Sequence, residues 1–356
     1  MNKQWYRGLI LVLLACCAII CVSPVFAENT RTITDMVGRS VTIPTEIHSI
    51  LGTAPPTSEA VYMIKPDDLI GINFDLKNSS YVPEKYKSLP NVGGQQMGSK
   101  LNYETFQSMK PDIVLYGFDP AMGGNQADIE DVQTRLNPIP VVACADSTNA
   151  TNYGPEIKFL GTLLGAEDRA NSLNSFYDNL YKKVTTTVAS IPDDQKKKVY
   201  YAEGPDGLKT DPASSPHGQL IAVCGGNNVA EVSQGSSGGM SPVSMEQVVS
   251  WNPDVIVAGD KKFYKSVMTD PNWKDIKAVK DKQVYLIPNQ PFGWIDRPPG
   301  ANRIIGIPWL AKVIYPEKFT DIDLNSLIKE YYTKYLNYDI TDTEVNTIIT
   351  YSGLTA

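Results

Sequence analysis

The chain says nearly the same thing twice. Residues 104–115 read ETFQSMKPDIVL and residues 246–257 read EQVVSWNPDVIV. Glu104, Ser108, Pro111 and Asp112 match Glu246, Ser250, Pro253 and Asp254 at a constant offset of 142 residues, the distance from 104 to 246. Solenoid units recur every ~20–50 residues, so this spacing implies two similar halves instead. Each copy reads as a short helix stopped at proline, followed by an apolar run that suits a buried strand. Chance recurrence of a helix–proline–strand junction would reproduce Pro-Asp. It accounts less well for glutamate and serine at matching offsets.

The rest of the chain alternates in the same way. RTITDMVGRSVTIP has the period-two pattern of a hairpin turning at Val37-Gly38-Arg39. IHSILGTA reads as a strand entering a loop, and Pro55 to Ser58 with Glu59 behind them carry helix-start chemistry. DLIGIN, DIVLYG and IPVVAC follow as strands, with LNYETFQSMK as a helix before the second of them. Residues 155–190 read as one long helix or two in series, with Gly161 and Gly165 as the weak points. The alternation then resumes through VYYAEG, HGQLIAVCGG, SMEQVVSWN, DVIVAG and QVYLIP, and ends in the helical GANRIIGIPWLAKVIYP and DLNSLIKEYYTKYLN. The expectation is an α/β chain of two Rossmann-like lobes, each a mostly parallel sheet with flanking helices, joined by a long inter-lobe helix. Its divisions are 28–154, 155–190 and 191–356.

Residues 1–27 stand apart. Lys3 and Arg7 precede the apolar GLILVLLACCAIICV, and Val25 and Ala27 put small residues before Glu28, the pattern of a secretory signal peptide. An uncleaved anchor and lipidation at Cys16 are the alternatives. Cleavage would leave 28–356 and shift the net charge from −7 to −9, since it removes Lys3 and Arg7 and no acid. An acidic chain with no long basic run argues against a nucleic-acid surface. Cys144 and Cys224 would remain, in different halves, and are expected as separate buried thiols.

Catalytic chemistry finds little support. GSSGG at 235–239 fits the G-x-S-x-G pattern around Ser237, but a hydrolase elbow needs a later histidine. The two histidines, His48 and His217, both precede it. Two distant histidines and two distant cysteines make no zinc spacing, and neither G-x-G-x-x-G nor a Walker loop occurs. What remains is a set of loops that follow expected strands: GTAPPT (52–57), YGFDP (116–120), YYAEGPDGLKTD (200–211) and PFGWIDRPPGANR (291–303). Ligands of open α/β sheets sit beyond the carboxyl ends of the strands, so these loops are expected to converge on one cleft. The candidate ligand contacts are Thr53, Tyr116, Phe118, Tyr201, Leu208, His217, Trp294, Asp296 and Arg297. Trp294 has a core position as its competing reading, and Arg297 an ion pair with Asp296 or Asp119.

Taken together, LNYETFQSMKPDIVL, LIAVCGGNNVAEV followed by VSMEQVVSWNPDVIV, and the late GWIDRPP resemble the class III substrate-binding proteins of ABC importers. The resemblance covers essentially the whole chain after residue 27. It implies capture of a metal chelate (ferric siderophore, haem or corrinoid) or a molybdate-like oxyanion, with no catalysis and no cofactor beyond the carried ligand. It implies a monomer as the working form and a permease dimer with its ATPase as partners. One surface glutamate per lobe docks on permease arginines in that family, and the matching positions are Glu104 and Glu246. The competing function is a cofactor-processing or hydrolytic enzyme on a similar two-lobed fold.

Overall fold

A computed structural model describes residues 29–94, 101–118, 125–145, 148–151, 153–233 and 239–355. The signal segment, Cys16, Asp119 and Ser237 lie outside the described residues. Strands β1 (Thr30–Thr34) and β2 (Ser40–Pro44) form the expected antiparallel hairpin. Its turn is closed by Asp35, whose carboxylate accepts from the Arg39 backbone and guanidinium at 2.9 Å each.

Strands β3 (Ile50–Gly52), β4 (Ile113–Phe118) and β5 (Val141–Ala145) make a parallel sheet with β4 in the middle. The second half supplies β6 (Lys198–Ala202), β7 (Lys209–Thr210), β8 (Asn227–Asn228), β9 (Ser241–Pro242), β10 (Val255–Ala258) and β11 (Val284–Leu286). Four of these form a parallel sheet in the order β11–β10–β6–β8, and β7 pairs with β9 antiparallel. The central strands β4 and β10 carry no charged or polar aliphatic side chain, because helices cover both faces of a parallel sheet.

The repeated segment has a structural meaning that the spacing alone did not reveal. Helices Tyr103–Met109 and Met245–Trp251 each end in a left-handed residue, Lys110 and Asn252. Proline follows, and then the aspartate turns back onto the neighbouring strand. Asp112 Oδ2 accepts from the backbone of His48 (2.7 Å) and Ser49 (2.9 Å), just before β3. Asp254 Oδ2 accepts from the Lys198 backbone (2.9 Å), at the start of β6. Each Pro-Asp therefore stops a helix and pins the entry of the adjacent strand. Glu104 and Glu246 stand in the first turns of these helices, exposed.

The connection between the sheets is two helices in series, Gly154–Leu164 and Glu167–Val188. The break falls at Gly165, which takes a left-handed φ of +62° that glycine adopts at no steric cost. Gly161 lets the pair fold together, since a Cβ there would sit 2.4 Å from that of Ala170. One buried apolar cluster runs from Ile50 and Tyr62 in the first half to Trp309 and Tyr331 in the second. The two halves thus share one core. Cys144 and Cys224 are separate buried thiols, donating to the carbonyls of Tyr116 and Ile307. No described helix is long and apolar enough to cross a membrane.

Candidate functional site

The carboxyl ends of β3, β4 and β6 and the loop 291–303 carry the candidate residues, and the structure separates them into two groups. Tyr201, His217, Asp296 and Arg297 come together. Tyr201 Oη donates to Asp296 Oδ2 (3.2 Å), and His217 Nδ1 lies 2.7 Å from Asp296 Oδ1. Arg297 reaches Asp296 at 3.4 Å, donates from Nε to Glu203 Oε1 (2.8 Å) and from Nη2 to Asp211 Oδ2 (2.8 Å). Its side chain is therefore engaged in an ion network that includes the Asp296 pairing weighed from the sequence.

The others stand elsewhere. Trp294 is 1% exposed, packed edge-on against Trp309 and Tyr332, a core position rather than a cleft wall. Thr53 is buried where it ties the tops of β3 and β4, its backbone donating to Leu115 and its Oγ1 accepting from Gly117. Tyr116 and Phe118 belong to the apolar cluster of the first sheet, and half-buried Leu208 to that of the second.

Several residues of the site were not singled out as contacts. Arg303 is fully buried and donates to the carbonyls of Ile295, Thr148 (3.0 Å) and Pro216 (2.7 Å), with Asp296 Oδ1 at 4.0 Å. It thereby joins loop 295–303 to the first half at Thr148. In the sequence it is one cation inside an apolar helical run, with no spacing signal to mark it. Gly300 shows how closely the halves meet: a Cβ there would lie 2.6 Å from Glu59 Oε2, 2.8 Å from Asn302 Oδ1 and 3.6 Å from Pro56 Cα. Gly300 thus brings the start of helix Pro55–Ile64 against the segment that leads into helix Arg303–Ile314.

Around this seam, several polar atoms are buried without a hydrogen-bond partner among the described residues. They include Thr57 Oγ1, both amide atoms of Asn302 and His217 Nε2, on residues 0%, 1% and 5% exposed. Groups like these are rare in folded proteins unless something polar meets them. Asp211 and Asp296, in contrast, are compensated. Asp211 accepts from Arg297, Ser215 (3.2 Å) and the Met240 backbone (3.1 Å). Asp211, His217 and Asp296 place ligand atoms within 4.8 Å of one another, a spacing that a cation could bridge. The Arg297 guanidinium already lies against both carboxylates, and would repel a metal ion there.

Burial raises the Asp296 carboxyl, but the hydrogen bond from His217 and the charges of His217, Arg297 and Arg303 outweigh it and hold it below the ordinary range. Glu203 goes the other way. Burial, with Asp211 and Asp296 close by, pushes it up to about 8 against the pull of Arg297. Between the ordinary glutamate value and about 8, the folded chain holds a proton that the unfolded chain has released. Stability from this residue therefore falls as pH rises through that window. Asp296 has the opposite sign and acts only on the acid side. Thermal melts from pH 5 to pH 9 are expected to decline in the wild type and to flatten in Glu203→Gln. An unchanged slope in the variant would assign the decline to another group.

Comparison with known proteins agrees with this architecture. The family model described as periplasmic binding protein matches residues 75–291. The chain is 28% identical over 332 residues to the molybdate-binding protein MolA of Haemophilus influenzae, covering 86% of this chain and 90% of the relative. It is 27% identical over 292 residues to YvrC of Bacillus subtilis, an ABC transporter substrate-binding lipoprotein, covering 82% and 87%. Among solved structures, an ABC transporter solute-binding protein from Sulfurospirillum deleyianum superposes with a TM-score of 0.83 at 32% identity, covering 90% of this chain and 99% of that one.

Proposed function

This chain belongs to the periplasmic binding protein family, the class III solute-binding proteins of ABC importers, and from that premise we propose that it takes a molybdate-like oxyanion at the seam between its lobes. Capture and delivery to an importer, rather than catalysis, are the work of the family. The observation that carries the ligand reading is the set of unpartnered polar atoms on Thr57, Asn302 and His217. They are too enclosed to lie against the flat face of a macrocycle, but a small ligand that is mostly oxygen can meet each of them. Thr57 is also the first residue of its helix with a backbone N–H to offer, because Pro55 and Pro56 precede it. Arg297 pairs with Asp211 and Asp296, and Arg303 stands 4.0 Å from Asp296, so these two carboxylates carry little uncompensated charge. The molybdate named for MolA points the same way.

Delivery is proposed to run through Glu104 and Glu246, one exposed on each lobe at the same place in the repeat. The Glu246 carboxyl is held below its ordinary value by hydrogen bonds from its own backbone and from Ser244, and it is ionised when it meets a partner. Export by a signal cleaved after Ala27 completes the reading.

The test is calorimetric titration of the purified protein with molybdate, tungstate, sulfate, a ferric siderophore, haem and cobalamin. Molybdate or tungstate is expected to bind one to one with a Kd of ~1 μM or tighter. Thr57→Val, which removes only the hydroxyl, is expected to weaken binding about ten-fold. A response confined to the chelates would sink the oxyanion reading and leave transport standing. Silence across the panel would count against capture at this seam.

A further inference from the structure

The two glutamate-bearing helices are alike at the repeated positions and unlike beside them. Three residues past Glu104 stands Gln107, whose side chain donates to the Arg135 carbonyl (2.7 Å). The matching residue past Glu246 is Val249, an apolar side chain left 53% exposed. On a helix, residues three apart share a face, so Val249 flanks Glu246 on the surface that a partner would meet.

The ground behind each helix differs too. Helix Tyr103–Met109 is backed by helix Gln126–Leu136, which displays Asp128, Glu130 and Asp131. Its Arg135 is paired to Asp131 (2.7 Å) and lies over the Tyr103 ring, and Lys110 sits at the near end. Behind helix Met245–Trp251 the exposed charges are mainly lysines. Lys277 donates from its backbone to Asn252 (2.9 Å), while its ammonium faces Asp254 and Asp281. Lys274, Lys280 and Lys282 lie on the same segment, Lys280 facing Asp275, and Lys198 donates to the Trp251 carbonyl (2.7 Å).

We propose that the two docking faces are not interchangeable, and that Val249 seats in an apolar spot of the permease subunit that receives Glu246. This rests on the reading of Glu104 and Glu246 as docking residues. The first-lobe face, with Glu104 beside polar Gln107 and three exposed acids behind it, then mates by charge, while the second adds the dry contact of Val249 to Glu246. Charge contacts between exposed groups weaken with salt, whereas apolar burial does not. The docked complex is asymmetric even on a permease of two identical subunits, and its second-lobe contact is the salt-resistant one.

The experiment measures binding of the full solute-binding protein to the permease–ATPase complex of its importer in nanodiscs, at low and high salt. Val249→Gln, which copies the first lobe, is expected to weaken binding about ten-fold at both salt concentrations. Glu104→Gln is expected to weaken it chiefly at low salt, and Gln107→Ala to change little. Wild-type binding by Val249→Gln, or an equal loss from Gln107→Ala, would overturn the asymmetry. Wild-type binding by the Glu104→Gln, Glu246→Gln double variant would remove the docking reading itself, so the two failures are distinguishable. Val249 is exposed, so its substitution leaves the fold intact, and an unchanged melting temperature checks this.

Discussion

Arg303→Ala is expected to cost about 3–5 kcal/mol of folding stability, the range for removing one member of a buried charged network. The guanidinium is fully buried and satisfies three carbonyls, those of Ile295, Thr148 and Pro216, which come from separate loops. Its loss strands all three away from water and withdraws a positive charge 4.0 Å from Asp296. Because Thr148 belongs to the first half of the chain, the same change loosens the tie between loop 295–303 and that half. Solute capture is expected to fall with stability. Arg303→Lys is expected to rescue little, since an ammonium cannot reproduce the fan of a guanidinium. Urea unfolding measures the effect, and a loss under about 1 kcal/mol would show that the network is not what holds the loops.

Trp294→Ala is expected to be almost as damaging, at about 3–5 kcal/mol, but through packing. The indole is enclosed by Trp309 and Tyr332 and donates to the Tyr332 hydroxyl at 3.3 Å. Helix Arg303–Ile314 lies directly on its backbone, so close that a Cβ at Gly306 would fall 1.8 Å from the Trp294 carbonyl. The two variants separate two meanings of this loop. Held at a temperature where it is folded, Trp294→Ala is expected to bind solute with near-normal affinity. A large affinity loss with a small change in melting temperature would instead return the ring to the binding surface.

Much of the architecture was legible in the order of residues. The Glu–Ser–Pro-Asp repeat announced two α/β halves, and uninterrupted apolar strands announced parallel sheets. The hairpin at Gly38 and the weak point at Gly165 followed from glycine's backbone freedom. These are local properties: helix stops, turn geometry and the covering of a sheet are determined by a few neighbouring residues. The family followed from several such segments in order.

The site was legible only in part. Tyr201, His217, Asp296 and Arg297 do converge, because strand-end loops of one sheet must share one edge. What the loops do once there was decided by tertiary contacts across long chain separations. Arg297 meets Glu203 and Asp211, which turns a candidate anion reader into an internal counter-ion. Trp294 has the composition of a binding residue and the surroundings of a core one. Thr57, Asn302 and Arg303 carry no pattern of their own. They matter because Gly300 packs against the start of helix Pro55–Ile64, some 240 residues away in the chain, with a Cβ there 2.6 Å from Glu59 Oε2 and 3.6 Å from Pro56 Cα. Sequence by itself determined which elements form and what family they build. Burial and pairing, which depend on every other residue, decided which side chains remain free to meet a solute.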